Sequence, residues 1–169
     1  MKILMVCKYP PIQGGVSAES YWMAQQLAEM GHQVTVITNA DEVEPEYRIA
    51  VTEDDAGKLT GFFKPNSVRV INTSIDPRHV YIPQNNPSVS KLVGIGLSEI
   101  SSNRPEVILG YYLEPYGVVA MVLSQLTNIP FVIRHAGSDI GRLMQTPQLE
   151  TVYREIFRQA LLVITRVKH

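Results

Sequence analysis

Residues 1–38 read MKILMVCKYPPIQGGVSAESYWMAQQLAEMGHQVTVIT. Two short apolar runs, Ile3–Cys7 and Val34–Thr38, enclose a segment long enough for a helix. Apolar runs that are continuous rather than alternating indicate strands buried on both faces, as in a parallel sheet covered by helices. Gly31 follows Met30 in the manner of a glycine that ends a helix. The stretch therefore predicts a strand–helix–strand unit with parallel strands.

The same alternation continues to the end of the chain. Four further apolar runs predict strands at Val68–Ile71, Val107–Leu109, Phe131–Ile133 and Leu161–Ile164. Apolar residues at helical spacing predict helices near Val89–Ile100 and Leu149–Ala160. Prolines suited to the first turn of a helix stand at Pro87, Pro115 and Pro147. The sequence thus predicts a doubly wound, mostly parallel, Rossmann-like sheet in three α/β/α layers.

The length of 169 residues fits one domain, which we assign to residues 1–169. One segment interrupts the alternation between Asn39 and Asn66. Its acidic residues from Asp41 to Glu46 are interpreted as a solvated loop, and Ile49–Thr52 with Leu59–Phe63 could form a hairpin. Few residues follow the sixth predicted strand, which is typical of a cut or of a short gene.

Composition narrows the class of partner. The net charge is −1, which favours neither nucleic acid nor an anionic membrane. The single cysteine, Cys7, permits no intrachain disulfide, so we expect a cytoplasmic protein. The four histidines and this cysteine show no metal-ligand spacing, so we expect no metal. No apolar run reaches the roughly 18–20 residues of a membrane span.

The loop after the first strand contains the pair Gly14-Gly15. Paired glycines let a backbone approach a ligand closely, and the N–H groups of the following helix suit a phosphate. The alternative is a tight turn with Ser17 or Gly15 as the N-terminal cap. The loop carries neither the dinucleotide fingerprint G-x-G-x-x-G nor the phosphate-binding G-x-x-x-x-G-K-[ST].

Two other loops reach the carboxyl edge of the predicted sheet, where open α/β sheets bind ligands. After the fourth strand, Tyr111 and Glu114 could contact sugar rings, or Glu114 could cap a helix that begins at Pro115. After the fifth strand stands the segment Arg134-His135-Ala136-Gly137-Ser138-Asp139. Its arginine could pair with Asp139 or another acid, and Asp139 could cap the next turn instead of binding a ligand.

These motifs carry a resemblance to glycosyltransferase family 4. In that family, paired glycines are followed by an aliphatic residue and later by L-x-x-x-G-H-x-V-x-V-x-T. The match comprises Gly14, Gly15, Gly31, His32, Val34, Val36 and Thr38. The segment His135-Ala136-Gly137-Ser138-Asp139 resembles the family's H-G-S-D type segment, with an alanine inserted before the glycine.

The resemblance implies the N-terminal half of a GT-B fold, in which two Rossmann-like domains face each other across a cleft. That half binds the acceptor; the absent C-terminal domain would hold the nucleotide-sugar, a basic pair and the E-x7-E carboxylates. The family retains anomeric configuration without a metal, so the nucleotide-sugar is a co-substrate and no cofactor is expected. The resemblance makes His135 the candidate catalytic residue. Together with Tyr111 and Glu114, which stand in a loop that matches the family only loosely, the candidate substrate-binding set is Gly14, Gly15, Ser138 and Asp139.

The expected partners are a sugar acceptor, a sugar-nucleotide and a second Rossmann-like domain or subunit, with at most peripheral attachment to the inner membrane face. Two alternatives remain. A non-catalytic binding or regulatory module would form a stable heterodimer with a separate donor-binding subunit. A dinucleotide enzyme is disfavoured, since Thr38-Asn39-Ala40 stands where an acid should end the second strand.

Overall fold

The computed structural model describes residues 1–49, 68–74 and 86–165. The described residues form one six-stranded sheet with strand order β3-β2-β1-β4-β5-β6. Every neighbouring pair of strands is parallel. The strands are β1 (Lys2–Cys7), β2 (Gln33–Thr38), β3 (Val68–Asn72), β4 (Val107–Tyr111), β5 (Phe131–Arg134) and β6 (Leu162–Ile164). The predicted Rossmann-like fold is confirmed.

Helices connect these strands. They are α1 (Gly15–Glu29), α2 (Ser88–Ser102), α3 (Val118–Thr127), α4 (Ser138–Leu143) and α5 (Pro147–Gln159). Pro147 opens α5 as predicted, and Pro87 occupies the cap position just before α2. The prediction for Pro115 was wrong: it lies in a π-helical turn, Leu113–Gly117, and α3 begins only after that turn. The predicted hairpin from Ile49 to Phe63 lies outside the described residues apart from its first residue.

The end of α1 shows how the sequence sets the entry into β2. Gly31 has a φ of +88°, which favours glycine. Its N–H donates to the carbonyl of Ala28 at 3.0 Å, and the N–H of His32 donates to the carbonyl of Leu27 at 3.1 Å. This pair of bonds is a Schellman motif, which satisfies carbonyls that the helix end would otherwise leave unpaired.

The core lies on both faces of the sheet. One face packs against α1 and contains Met5, Cys7, Val36 and Tyr111. The opposite face packs against α2, α3 and α5 and contains Leu4, Val6, Ile37, Ile108, Leu123 and Ile156. Burial on both faces is the reason why the central strands read as continuous apolar runs. The two edge strands are not fully buried: Val70 of β3 is 40% exposed and Leu162 of β6 is 57% exposed.

The acidic segment after β2 is more ordered than predicted. It forms two short 3-10 turns, Ala40–Glu42 and Pro45–Tyr47. The side chain of Glu42 is largely buried and accepts from Lys91 of α2 and from Asn86, at 3.1 Å each. The interpretation as a solvated loop was therefore wrong for Glu42, because a cation from a distant helix reaches it.

Candidate functional site

The order of the strands reverses between β1 and β4, and ligands of open α/β sheets bind at such a point beyond the carboxyl ends of the strands. Cys7, the last residue of β1, lies in register with Tyr111 of β4. Tyr111 lies in register with Arg134, the last residue of β5. The loops after β1, β4 and β5 therefore emerge side by side at the same edge of the sheet.

The glycine pair sits where the first of these loops enters α1. Gly14 is the N-cap with a φ of +117°, a conformation that a side chain would strain, and Gly15 is the first helical residue. The predicted alternative cap at Ser17 or Gly15 is wrong. The loop is braced by residues 47–49: the N–H of Gln13 donates to the carbonyl of Tyr47 at 2.8 Å, and that of Ile49 to the carbonyl of Pro11 at 2.7 Å.

A cleft of about 220 Å³ opens between the start of α1 and the loop from β5 to α4. It is lined by Gly15, Val16, Glu19, Tyr111, Ala136 and Ser138. Three residues of the predicted set, Gly15, Tyr111 and Ser138, thus meet in one cleft. Gly14 immediately precedes its wall.

Two of the lining residues, Glu19 and Tyr111, form a network with Arg134, which we call the floor network. The hydroxyl of Tyr111 and the guanidinium of Arg134 both donate to one carboxylate oxygen of Glu19, the latter at 3.1 Å. The guanidinium carbon of Arg134 also lies 4.9 Å from the centroid of the Tyr111 ring, within the range of a cation–π contact. One oxygen therefore ties α1 to β4 and β5.

Sequence reasoning missed Glu19 although a signal for it existed. Glu19 stands one helical turn after Gly15, so the helical period places both residues on the same face of α1. Arg134 does pair with an acid as predicted, but the partner is Glu19 and not Asp139, whose carboxylate accepts backbone N–H groups. Tyr111 is only 1% exposed, and its hydroxyl donates to Glu19.

Asp139 is fully buried, and its carboxylate is surrounded by backbone donors. One oxygen accepts the N–H groups of Ala136 and Ile140 at 3.1 Å each, and the other accepts the N–H of Leu113 at 3.2 Å. These bonds fix the β5–α4 loop and attach it to the loop after β4. The carboxylate faces away from solvent, so the arrangement favours a structural role over ligand contact.

His135 is half-buried beside the cleft but is not one of its lining residues. Its Nδ1 accepts the N–H of Gly137 at 3.1 Å, and its ring meets that of Phe157 edge to face at 6.5 Å between centroids. A neutral imidazole that accepts at Nδ1 carries its proton on Nε2, so this nitrogen is a donor. The sequence and this geometry leave the catalytic assignment of His135 as a prediction.

Glu114 lies apart from the cleft, against α5. Its carboxylate accepts the hydroxyl proton of the buried Tyr153 at 3.2 Å and makes no helix-capping hydrogen bond, so the predicted capping alternative is wrong. Burial raises the pKa of the Glu114 carboxyl, and the bond from Tyr153 opposes that rise. Its role in substrate binding stays a prediction.

One further group near this edge, the thiol of Cys7, could act as a nucleophile only as a thiolate. Cys7 is fully buried, and burial raises the pKa of its thiol to about 12, so the reactive thiolate is not formed near neutral pH.

Among the described residues, no group of three or more His, Cys, Asp or Glu side chains could hold a metal ion. None of the described helices is both long and apolar enough to cross a bilayer.

A family model described as a glycosyl transferase 4-like domain matches residues 14–166. No curated protein matches the chain in sequence.

Three solved structures are similar to the chain at low sequence identity. A protein described as a UDP-N-acetylglucosamine 2-epimerase from Listeria monocytogenes is similar with a TM-score of 0.54 and 12% identity, over 97% of this chain and 39% of that one. The glycotransferase of kitacinnamycin has a TM-score of 0.48 and 18% identity, over 91% of this chain and 38% of that one. The structure of MT0777 has a TM-score of 0.47 and 14% identity, over 99% of this chain and 87% of that one. Only the first of these similarities supports the fold assignment, and none of them bears on the reaction.

Proposed function

This chain belongs to the glycosyl transferase 4-like domain family, and on that premise we propose that it is the acceptor-side, N-terminal half of a retaining, nucleotide-sugar-dependent glycosyltransferase. The observation that carries the proposal is the cleft that the glycine loop and the β5–α4 loop form together at the switch point of the sheet. Both loops contain motifs that contribute to the resemblance to family 4.

In this proposal the chain supplies one wall of the active site. The sugar acceptor lies against the cleft, and Nε2 of His135 donates a hydrogen bond to a hydroxyl of the transferred sugar. The opposite wall, with the nucleotide-sugar, comes from a second Rossmann-like domain or subunit. No metal takes part, and attachment to a membrane is at most peripheral.

The proposed wall is not sufficient for the chemistry. Cleavage of a sugar–diphosphate bond places negative charge on the departing diphosphate, and catalysis requires fixed cations and N–H donors aimed at that charge. The guanidinium of Arg134, which contacts the cleft residues Glu19 and Tyr111, is already paired with Glu19. We therefore expect the isolated chain to be catalytically silent.

A turnover assay of the isolated chain with a panel of sugar-nucleotides tests this expectation. No release of nucleoside diphosphate above the buffer rate is expected, and robust transfer would contradict it. The coding sequence downstream of His169 tests the proposed two-domain architecture. A second Rossmann-like segment with E-x7-E there would support the proposal. Co-purification of a separate donor-binding subunit would instead identify a split enzyme or a regulatory module.

The role of His135 is tested in the complex of this chain with its donor-binding partner. We expect His135→Ala to lower kcat by about a hundredfold, the usual cost of removing one positioned hydrogen-bond donor from an active site. His32→Ala is the matched control. His32 precedes β2 and contacts the amino group of Met1, so it lies at the amino ends of the strands, whereas the cleft lies at their carboxyl ends. Equal activities of the two variants would remove His135 from the active site.

A further inference from the structure

We propose that α5 supports the candidate site through two positioning residues, Tyr153 and Phe157, which hold Glu114 and His135 in place. The inference rests on the proposed function and deepens it, because it states what fixes two predicted site residues, neither of which lines the cleft.

Two aromatic side chains of α5 reach the loops at the carboxyl edge of the sheet. The Tyr153 hydroxyl donates to the Glu114 carboxylate at 3.2 Å, and the Phe157 ring meets the His135 ring edge to face at 6.5 Å between centroids. Tyr153 and Phe157 are four positions apart, so they lie one turn apart on the same face of the helix. One helix face therefore contacts a residue of the loop after β4 and a residue of the loop after β5.

The helix that carries these two residues is itself fixed to the core. Ile156 is fully buried in the cluster shared with α3, and Gln125 of α3 donates to Gln159 at the end of α5 at 2.7 Å. Directly after α5, the N–H of Leu161 donates to the carbonyl of Phe131 in β5 at 2.8 Å. A helix packed and bonded in this way can hold a side chain within the narrow range of geometry that a functional site requires.

The contact with Phe157 completes the restraints on the His135 ring. The N–H of Gly137 donates to Nδ1 at 3.1 Å, which anchors one nitrogen but lets the ring tilt about that bond. The edge-to-face contact restricts this tilt, because aromatic pairs have preferred relative orientations. The two contacts together direct the Nε2 donor one way, as a hydrogen bond to a sugar hydroxyl requires.

Tyr153 has the corresponding role for Glu114. Burial and the neighbouring Glu114 carboxylate raise the pKa of the Tyr153 phenol, so its hydroxyl keeps the proton and stays a donor. Burial also raises the pKa of Glu114, and the bond from Tyr153 opposes that rise by favouring the carboxylate. The other ionisable groups that act on Tyr153 are Asp139 and Tyr112. The Asp139 carboxylate accepts backbone N–H groups, which leaves Glu114 as the acceptor for Tyr153.

The first arm of the test follows the Glu114 carboxyl carbon by NMR during a pH titration of the 169-residue chain. Tyr153→Phe removes only the hydroxyl, and because the bond holds down the pKa of Glu114, we expect the titration midpoint to rise. Tyr9→Phe is the matched control. Tyr9 is also buried, but its hydroxyl bonds to Gln25, so the Glu114 midpoint should not move.

The second arm follows the nitrogen NMR signals of the His135 ring at about pH 8.5, above the ordinary histidine pKa of about 6.5. Phe157→Leu keeps an apolar side chain but removes the ring. We expect the population of the Nδ1–H tautomer to rise roughly two- to tenfold, the effect of losing one aromatic contact. The amide proton signal of Gly137 should move upfield as its bond to Nδ1 weakens. Phe157→Tyr keeps the ring and should restore the wild-type signals.

These readouts separate positioning from plain packing. If Phe157 and Tyr153 only packed the core, their variants would lose stability without changing the His135 tautomer or the Glu114 midpoint, and either unchanged signal overturns the support role of α5. If Phe157→Leu does not fold, Phe157→Met gives the same test, because the flexible methionine fills the space without a ring. None of these signals depends on turnover. Wild-type activity of His135→Ala in the complex would contradict the proposed function alone.

Discussion

At the scale of single residues, the buried carboxylate of Asp139 does most to hold the candidate site in shape. It accepts three backbone N–H groups, two from its own loop and one from Leu113 in the loop after β4. A buried donor that loses its acceptor keeps the cost of its desolvation, about 1–3 kcal/mol. The shape of the β5–α4 wall therefore depends on a side chain that does not itself face the cleft.

Replacing Asp139 with alanine tests this role. Because three donors lose their acceptor, Asp139→Ala should lower the free energy of unfolding by about 2–4 kcal/mol, measured by urea denaturation. The control is Ser138→Ala, since Ser138 is exposed and lines the cleft; its stability should change by less than about 0.5 kcal/mol. A fully stable Asp139→Ala variant that fails to bind ligand would instead assign Asp139 to substrate binding.

The predictability of individual residues depended on the range of their contacts. Gly15, Tyr111 and Ser138 could be found from the sequence, because a position at the end of a strand or the start of a helix already places a residue at the ligand edge. The partner of Arg134 could not be identified in advance. It pairs with Glu19, 115 positions away in the sequence, and only the register of β1, β4 and β5 brings the two together.

At the scale of elements, the contact between α2 and α3 depends on a glycine. Gly96 is buried on the face of α2 that meets α3, and a Cβ built at Gly96 would lie 2.5 Å from Cδ1 of Leu123. Leu123 is itself fully buried, so its side chain has little room to give way. The small residue therefore sets how closely the two helices pack.

Two alanine substitutions in the same helix isolate this contact. Gly96→Ala should destabilise the protein by about 1–3 kcal/mol, because an added methyl group overpacks the interface with Leu123. Gly94→Ala should stabilise it by up to about 1 kcal/mol, because Gly94 is exposed, has open space around it and gains helix propensity. Thermal or urea denaturation of both variants provides the comparison. A Gly96→Ala variant as stable as Gly94→Ala would mean that α2 and α3 can move apart without cost.

Elements with a strong local signal were predictable, and those that depend on distant partners were not. The strands and α5 followed from apolar periodicity, and the end of α1 followed from Gly31. The π-helical turn at Leu113–Gly117 did not, because a proline after a strand is equally suited to the first turn of an α-helix. The sequence also predicted too much burial for the edge strands. An apolar run such as Leu161–Ile164 does not show whether its strand is central or outermost, and among the described residues β6 is an outermost strand.

At the scale of the whole molecule, β1 connects the two sides of the sheet. It pairs with β2 on one side and β4 on the other, and its residues alternate between the two core clusters. Exposure of β1 therefore requires both clusters to open. Such an arrangement predicts that the described part of the chain unfolds as one cooperative unit.

The thiol of Cys7 reports on that cooperativity, because it is fully buried at the end of β1 and is the single cysteine of the chain. Burial raises its pKa to about 12, whereas an unfolded cysteine has a pKa near about 8.5. At pH 8, iodoacetamide should therefore alkylate the native chain at least about a thousandfold more slowly than the urea-unfolded chain. The urea midpoint of alkylation in short pulses should coincide with the midpoint of far-UV circular dichroism.

A double variant, Cys7→Ser with Ser138→Cys, is the control for this measurement. Its thiol lies at the exposed wall of the cleft, so it should be alkylated rapidly in the native state and show no protection to lose. Alkylation of Cys7 at urea concentrations below the dichroism transition would contradict a single cooperative unit. It would mean that the layer formed by α1 can separate from the sheet while the opposite layer stays folded, and the cleft between α1 and the β5–α4 loop would then be a mobile surface rather than a preformed wall.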